Sequence, residues 1–388
     1  MKKCIVCDTG KYQAVVTPKV SDVNKERKER IQRVCSTHEN EFRRNKSMVD
    51  LSPHMYIDLK HNLTYCFLLK SGYTFWSMLF QIVRGDFNIT SPFDPVLYSR
   101  RGKGIQSLNS LQDKQRKLFF NNSFSFMFTR DPYSRLLSGY TDKLFMPNYH
   151  WRDVAPSIAK VTRRHSERCI PDMRFSELIK FIIHSEEKGL KRDGHYQFAF
   201  DFCDPCQYQY DFIGKIETVK QDTQFLLEKM NQTKVLRSFE HSFKEQYTNF
   251  TIKERIDMLF MSNNSAFTCN DDFFNLQRKM WKGFQMNGII SKNSKYPITE
   301  EKSKSITPEM FRDVVFKSIG DAASSEVSRR NKAEALLEAY STVDMEDLDK
   351  LSRLLQPDCE IFGYDCRPSY LFQNRKPVKP WYFDILTA

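Results

Sequence analysis

The sequence predicts an α/β fold with a central, mostly parallel sheet flanked by helices. Three short apolar segments, residues 65–69, 124–129 and 210–214, have the composition of strands buried on both faces. Each is followed by residues with apolar side chains at helical spacing, and no run of consecutive strands interrupts this order. With 388 residues, 40% of them hydrophobic, the chain is long enough for one large domain with extensions.

The first strand leads into a helix through residues 70–74, and the helix is predicted to begin at Phe75. Backbone N–H groups at a helix start are unpaired, and the helix dipole adds partial positive charge, so this turn suits a phosphate or sulfate group. Lys70 adds a mobile ammonium group and Thr74 a hydroxyl. The turn lacks the G-x-x-x-x-G-K-[ST] pattern of ATP-binding loops. Since most such turns bind nothing, a purely structural turn is the alternative.

The second unit carries a basic residue where its strand ends. Arg130 follows the strand, and Asp131-Pro132 then starts a helix with Pro in its first turn. Arg130, Arg135 and Ser138 are therefore expected near one helix start, where a guanidinium group can hold a phosphate through two hydrogen bonds. The alternative for Arg130 is an ion pair with Asp131 or another carboxylate.

Cysteines and glycosylation sequons together favour an oxidising, secretory compartment. In the third unit the C-x-x-C pair Cys203 and Cys206 precedes a strand instead of opening a helix, which favours structural disulfides over a thioredoxin-like redox site. A second pair, Cys4 and Cys7, has no partner pair at zinc-finger spacing and does not predict a metal site. The chain has ten cysteines, and its sequons begin at Asn45, Asn62, Asn88, Asn121, Asn231, Asn249 and Asn263.

The net charge of +12 and the isoelectric point near 9.1 favour an anionic partner. The charged segment 24–46 predicts a solvated stem helix, because its acidic residues are interleaved with basic ones, which disfavours nucleic-acid binding. We expect a flexible lead-in and stem helix over residues 1–49, a main domain over 50–367 and a loose Pro-rich tail over 368–388. Within the main domain, a polar region at about 231–335 is expected to be peripheral.

Four stretches in order resemble one family, the Golgi carbohydrate sulfotransferases that include the chondroitin and dermatan 4-O-sulfotransferases. C-F-L-L-K-S-G-Y-T-F-W is similar to that family's 5′-phosphosulfate loop, and F-T-R-D-P-Y-S-R-L-L-S-G-Y-T-D-K-L to its 3′-phosphate motif. The segment H-Y…C-D-P-C…Y-D-F-I-G-K-I-E-T and the closing E-I-F-G-Y-D resemble two further signatures. In this chain Leu69 stands where Pro is usual, and Tyr196 replaces Trp.

The resemblance implies a single P-loop-NTPase-like sulfotransferase domain that uses 3′-phosphoadenylyl sulfate (PAPS) as the sulfuryl donor, without a metal ion. Lys70 would stabilise the leaving phosphate in the transition state, and Arg130 and Ser138 would hold the 3′-phosphate. The residues implied to hold the 5′-phosphosulfate are Lys70 with its ammonium group, Thr74 with its hydroxyl, and Ser71, Gly72, Tyr73, Thr74 and Phe75 with their backbones.

The resemblance also implies an acceptor, a base and a location. The acceptor is expected to be an anionic or N-acetylgalactosamine-containing glycan, and nucleic acid is not an expected partner. His195 is the candidate general base because imidazole accepts a proton near neutral pH, and Glu217 is the alternative. Arginines that could recognise an acidic acceptor are Arg100, Arg101, Arg163 and Arg164.

The family is anchored in the Golgi membrane by an N-terminal helix and acts in the lumen. The first 20 residues here contain only short apolar runs, so we expect that the anchor is missing from this chain. Two other classes of function remain open. One is a secreted or lumenal glycan-binding protein that has kept the fold but lost catalysis. The other is a nucleotide kinase, which the missing ATP-binding pattern disfavours.

Overall fold

The computed structural model describes residues 18–43, 50–100, 102–163, 167–261, 269, 271–319, 325–373 and 378–388. Within these residues five strands form one sheet, in the order β3-β1-β2-β4-β5. Strand β2 pairs with β4 and β4 with β5 in parallel, whereas β1 is antiparallel to β2 and β3. The strands are β1 (Met55–Asp58), β2 (Leu63–Cys66), β3 (Gln106–Ser107), β4 (Phe124–Thr129) and β5 (Phe212–Lys215).

The predicted α/β class is confirmed, and helices cover both faces of the sheet. In chain order the helices are α1 (Val20–Arg43), α2 (Tyr73–Arg84), α3 (Pro95–Ser99), α4 (Asp113–Asn122), α5 (Pro132–Tyr140), α6 (His150–Asp153), α7 (Ala155–Thr162), α8 (Phe175–Glu187), α9 (Ala199–Cys203), α10 (Val219–Lys229), α11 (Thr233–Met261), α12 (Phe273–Met286), α13 (Glu300–Ser303), α14 (Pro308–Lys317), α15 (Ser325–Ser341), α16 (Met345–Phe362) and α17 (Ser369–Phe372).

The three predicted strand–helix units are present with shifted ends. The second unit has the predicted bounds, since β4 ends at Thr129 and α5 begins at Pro132. Strand β2 ends at Cys66, earlier than predicted, because its ladder stops where Cys66 faces Met55 on one side and Met127 on the other. Strands β1 and β3 were not predicted, and both lie on the antiparallel side of the sheet.

Alternating side chains of the strands build one core on each side of the sheet. Tyr65 and Phe126 pack with α2 on one side, where Trp76 lies 5.1 Å from Phe126 between ring centroids. Cys66 and Met127, the next residues along the same strands, face the other core. This period of two is the geometry expected for strands buried on both faces.

Helix α1 is docked on the domain, which corrects the expectation of a solvated stem. Asn24 accepts a hydrogen bond from the Ile213 N–H at 3.0 Å and so satisfies part of the edge strand β5. Arg27 forms an ion pair with Asp222 at 2.9 Å, and the two side chains are 11% and 2% exposed. Cys35 is joined to Cys206 by a disulfide. These contacts hold α1 against the sheet edge.

Two further expectations about peripheral regions are corrected. The region 231–335 contributes α11 and α12, and apolar side chains of both helices lie in the largest core, among them Ile256 and Trp281. The tail is also anchored, because the carboxylate of Glu338 accepts hydrogen bonds from three successive backbone N–H groups at residues 381–383. Tyr382 is buried in the same core.

The prediction of structural disulfides is confirmed. Each cysteine of the Cys203/Cys206 pair bonds to a distant cysteine, so this C-x-x-C is not a redox pair in the structure. The four disulfides between described residues are Cys35–Cys206, Cys66–Cys203, Cys169–Cys269 and Cys359–Cys366. Cys4 and Cys7, and the sequons at Asn45 and Asn263, lie outside the described residues.

Candidate functional site

The turn after β2 contains two residues in the left-handed region and leads directly into a helix start. Lys70 and Gly72 have positive φ angles of 66° and 85°, and Gly72 caps α2. A side chain at Gly72 would be strained by this φ and would lie 3.2 Å from Ile216 Cδ1. The N–H groups of the first helical residues have no partner within the helix. These groups begin at the carboxyl edge of the sheet, close to the segment that follows β5.

Lys70 lies in a cluster of charges centred on a carboxylate that was not predicted. Its Nζ is 2.7 Å from Asp142 Oδ2, and Lys143 Nζ is 3.4 Å from the same oxygen. Arg255, from α11, contacts the other oxygen of Asp142. Burial opposes ionisation of Asp142, but the charges of Arg255, Lys70 and Lys143 hold its pKa well below the usual range. Three cations therefore surround one anion, which leaves the cluster with a net positive charge.

Burial also acts on Lys70. It lowers the pKa of the Lys70 ammonium group to about 8, even though the charge of Asp142 favours the protonated form. Lys143 and Arg255 contribute to the lowering by repulsion. The Lys70 side chain is only 15% exposed. Lys70 is thus a partly desolvated cation whose charge is sensitive to pH just above neutrality.

Arg130 lies beside the loop that starts with Lys70. One guanidinium nitrogen, Nη1, is 3.5 Å from the Lys70 carbonyl oxygen. Among the described residues no carboxylate forms an ion pair with Arg130, and the Asp131 side chain instead accepts a hydrogen bond from the Ser134 N–H at the start of α5. The alternative of an Arg130–Asp131 ion pair is therefore not found. Lys70 and Arg130 share one edge of the sheet.

Arg135 and Ser138, the two other residues expected near this helix start, have different surroundings from Arg130, and so does Ser71 of the Lys70 loop. Arg135 is buried and donates to the Leu69 carbonyl at 3.3 Å and to the Gln197 carbonyl, so it supports the loop and does not face an open anion site. The Ser138 hydroxyl has no hydrogen-bond partner among the described residues, and no contact joins it to Arg130. The buried Ser71 hydroxyl also has no partner within the part of the chain that is described.

His195 lies on a segment that packs against the Lys70 loop. Its Nδ1 is 2.6 Å from Asp193 Oδ1, and a Cβ built on the neighbouring Gly194 would be 3.1 Å from Leu69 Cδ1. Burial lowers the pKa of His195, and the positive charges of Lys143 and Lys70 add to this effect against the attraction of Asp193. The imidazole is therefore close enough to Lys70 for their charges to interact.

Glu217, the alternative base, has both carboxylate oxygens engaged at the other end of the site. One oxygen accepts a hydrogen bond from the Asp131 N–H at 2.9 Å, and the other accepts one from the Tyr364 hydroxyl at 3.1 Å. Its charge acts on Arg130. Glu217 is thus a neighbour of Arg130, whereas His195 is a neighbour of Lys70.

The structure describes two of the four arginines that were proposed for acceptor recognition. Arg163 is engaged by Glu177 at 2.6 Å and Asp172 at 2.9 Å, which corrects its assignment as a free recognition residue. The guanidinium of Arg100 lies over the Phe87 ring at 5.6 Å. Arg101 and Arg164 lie outside the described residues.

Sequence reasoning missed Asp142, Arg255 and Asp193 as members of the site. Asp142 lies within the stretch that resembles the family's 3′-phosphate motif, and this position was the sequence signal that could have identified it as a site residue. Arg255 is 113 residues away from Asp142 in sequence, and no local pattern pairs them.

Among the described helices none is long and apolar enough to cross a bilayer.

Comparisons with known proteins give one family and a set of relatives. A family model described as "Sulfotransferase family" matches residues 53–278. Carbohydrate sulfotransferase 11 of Mus musculus is 24% identical over 45% of this chain and 52% of its own length. Carbohydrate sulfotransferase 9 of Homo sapiens is 25% identical over 60% of this chain and 52% of its own length. Carbohydrate sulfotransferase 10 of Xenopus laevis is 26% identical over 58% of this chain and 69% of its own length. The chain spans about half the length of the first two relatives. No solved structure matches.

Proposed function

Because this chain belongs to the sulfotransferase family, we propose that it is a carbohydrate O-sulfotransferase that moves a sulfuryl group from PAPS to a glycan hydroxyl. The observation that carries this proposal is the 3.5 Å contact between the Arg130 guanidinium and the Lys70 carbonyl. It brings a guanidinium and an anion-binding helix start to one edge of the sheet. PAPS carries an anionic group at each end of its ribose, so two neighbouring cationic sites match it.

The residues of the loop fit the 5′-phosphosulfate of the donor. The N–H groups of Tyr73, Thr74 and Phe75 open α2, and the buried Ser71 hydroxyl lacks a partner among the described residues. An anion with several acceptor oxygens would satisfy these donors, and the helix dipole favours it. Lys70 would exchange its contact with Asp142 for the bridging oxygen of the donor. The side chain of Thr74 would add a hydroxyl at the same group.

Arg130 would hold the 3′-phosphate, together with the hydroxyl of Ser138. A guanidinium group can donate two parallel hydrogen bonds to a phosphate, which gives it an advantage over a lysine in this role. Glu217 restrains the backbone next to Arg130 through the Asp131 N–H, so the strand end is fixed before the donor binds. The 3′-phosphate distinguishes this donor from ATP.

The chemistry is an in-line displacement at sulfur, similar in geometry to phosphoryl transfer. The acceptor oxygen bonds to sulfur, its proton passes to His195, and the bond from sulfur to the phosphate oxygen breaks with its electron pair on phosphate. Lys70 would stabilise the negative charge that develops on this oxygen, so its interaction is stronger in the transition state than in the ground state.

The acceptor is proposed to be an anionic or N-acetylgalactosamine-containing glycan in the Golgi lumen. The curated relatives are named carbohydrate sulfotransferases, which supports a sugar acceptor. The surplus of positive charge around Asp142 and the net charge of +12 suit an acidic glycan. The four disulfides agree with an oxidising lumen. We propose residues 50–367 as the catalytic domain.

The test is transfer of labelled sulfate from PAPS to chondroitin, dermatan and desulfated glycans, followed by disaccharide analysis. Lys70→Ala and Arg130→Ala are each expected to abolish transfer, and Lys114→Ala and Arg237→Ala, which change exposed residues outside the site, are the matched controls. Arg130→Ala should also weaken binding of 3′-phosphoadenosine 5′-phosphate by about 10–150-fold. This range corresponds to the loss of about 1.5–3 kcal/mol that hydrogen bonds to charged groups contribute. Tight glycan binding without any affinity for this nucleotide would replace the enzyme by a glycan-binding protein.

A further inference from the structure

Asp193 holds the candidate base at two points. Its Oδ1 accepts a hydrogen bond from the His195 backbone N–H at 2.9 Å and lies 2.6 Å from the His195 ring nitrogen Nδ1. One carboxylate oxygen therefore restrains both the chain and the ring of the same residue. The His195 side chain is 17% exposed, so part of it can still meet a substrate.

The second oxygen of Asp193 faces a buried histidine. His150 Nε2 is 3.7 Å from Asp193 Oδ2, and the His150 side chain is 2% exposed. The other ring nitrogen of His150, Nδ1, is 2.9 Å from the side-chain oxygen of Asn148. Asn148 is itself oriented, because its amide nitrogen donates to the Asp142 carbonyl at 3.3 Å. Asp193 thus lies between two imidazoles whose own positions are fixed by packing and hydrogen bonds.

The contact with Asp193 decides which nitrogen of His195 carries the proton. An ionised carboxylate has only acceptor sites, so the ring nitrogen 2.6 Å from it must be the N–H donor. In neutral His195 the lone pair is then on Nε2. Burial opposes ionisation of Asp193, but its contact with His150 and its hydrogen bonds from His195 hold its pKa well below the usual range. The Asp193 carboxylate is therefore ionised, and available as an acceptor, near neutral pH.

We propose that Asp193 is a positioning residue for sulfuryl transfer, which keeps His195 in the tautomer with a free Nε2 and stabilises the imidazolium that forms. This inference rests on the proposed function. As the acceptor oxygen bonds to sulfur, its proton moves to His195 Nε2, and the sulfur–oxygen bond to the donor phosphate breaks with the electron pair on phosphate. His195 then carries a positive charge, and Asp193 is its counter-ion.

The charges around His195 make this counter-ion necessary. Lys143 and Lys70 both disfavour a positive charge on the ring, and Lys70 cannot be removed because it serves the leaving group. Asp142 contacts Lys143 and Arg255 in addition to Lys70, so it stays paired with two cations when Lys70 turns to the donor. Asp193 is the carboxylate that contacts the ring directly. Without it, an imidazolium would have to form in surroundings that are net positive.

The first experiment is a double-mutant cycle between Asp193→Asn and His195→Ala. Asp193→Asn keeps the size of the side chain, and we expect kcat to fall at least about 100-fold with the KM for PAPS changed less than about 2-fold, as for the removal of a group that orients a catalytic histidine. In the His195→Ala background the same change should have almost no further effect, because Asp193 acts only through His195. Asp193→Glu is expected to recover part of the rate.

Controls separate positioning from folding and from metal binding. Asp113→Asn, at an exposed carboxylate, is the matched variant, and thermal unfolding of every variant checks the fold. All assays contain a chelator, because the ligand atoms of His150, Asp193 and His195 lie within 4.8 Å of one another and a contaminating divalent cation would compete for them. An equal loss of rate from Asp193→Asn with and without His195 would overturn the inference and assign Asp193 a structural role.

The second experiment does not depend on activity. Nitrogen NMR of protein labelled at histidine, with His195→Ala for assignment, should find the proton of neutral His195 on Nδ1, and this preference should be lost in Asp193→Asn. A proton on Nε2 in the unchanged protein would overturn the inference. Absence of sulfate transfer by the unchanged protein, with the expected tautomer present, would instead overturn the proposed function.

Discussion

The surroundings of Lys70 predict that donor affinity falls with pH above neutrality. The groups that face Lys70 are Asp142, which favours its protonated form, and Lys143 and Arg255, which oppose it; His195 also lies within electrostatic reach. Burial outweighs the attraction of Asp142 and lowers the pKa of Lys70 to about 8. In the proposed function, only the protonated ammonium group of Lys70 would attract the 5′-anion of the donor. Raising the pH through 8 therefore removes the binding form, and lowering it restores that form.

The size of the effect follows from this pKa. At about pH 7 roughly nine-tenths of Lys70 is protonated in the free protein, and at about pH 9 roughly one-tenth is, since each pKa unit is a factor of ten. If neutral Lys70 contributes nothing to binding, the affinity for 3′-phosphoadenosine 5′-phosphate falls about tenfold over this range. Lys70→Arg should be nearly independent of pH here, because a guanidinium group stays protonated.

Isothermal titration calorimetry at constant ionic strength measures this directly. Burial also lowers the pKa of Lys215 and of Lys332 to about 8, and any contribution they make persists in Lys70→Arg. The difference between the two pH profiles therefore reports on Lys70 alone. A flat profile for the unchanged protein, or the same fall in Lys70→Arg, would refute the electrostatic account of this lysine.

Two further predictions concern the parts of the chain that hold the site. Replacing Cys35 and Cys206 by Ser should lower the free energy of unfolding by about 4 kcal/mol in urea titrations. The remaining disulfide between Cys66 and Cys203 shortens the loop that the lost disulfide had closed to about 34 residues, which sets this value. A loss of about 5 kcal/mol, the value for the full separation of 171 residues, would mean that the two disulfides act independently. Glu338→Gln should lower the free energy of unfolding by about 2 kcal/mol and increase hydrogen exchange at the amides of residues 381–383, which donate to the Glu338 carboxylate. Unchanged exchange at these amides would show that packing alone fixes this part of the tail.

The parts of the fold that could be predicted from sequence are those with local causes. Strand β4 was predicted with its observed bounds and helix α5 with its observed start, because an aromatic-rich strand and an Asp-Pro helix start are adjacent in sequence. Strand β3 has only two residues and strand β1 four, so neither is long enough to show a period of two. Both are strands because of their pairing partners, and pairing cannot be read from a short segment.

The candidate site likewise contains residues that could be predicted from local sequence and one that was missed. Lys70 and Arg130 stand at the ends of two predicted strands, and parallel strands bring such ends to one edge. Arg255 comes from a helix that was interpreted as peripheral on the basis of its polar composition. Its neighbours Ile252, Ile256 and Leu259, at helical spacing, are all buried, and this apolar side was the overlooked signal for a core helix that could carry Arg255 into the site.

The position of the two base candidates relative to the donor argues for His195 over Glu217. In an in-line displacement the acceptor attacks sulfur from the side opposite the leaving phosphate, so the base must lie at the 5′ end of the donor. In the proposed function Lys70 would hold this end and Arg130 the 3′ end, and the contacts of Glu217 with the Asp131 N–H and the Tyr364 hydroxyl place Glu217 beside Arg130. His195 is a neighbour of Lys70 and has its Nδ1 bound to Asp193, so its second ring nitrogen would face the end of the site at which the proposed reaction releases the proton.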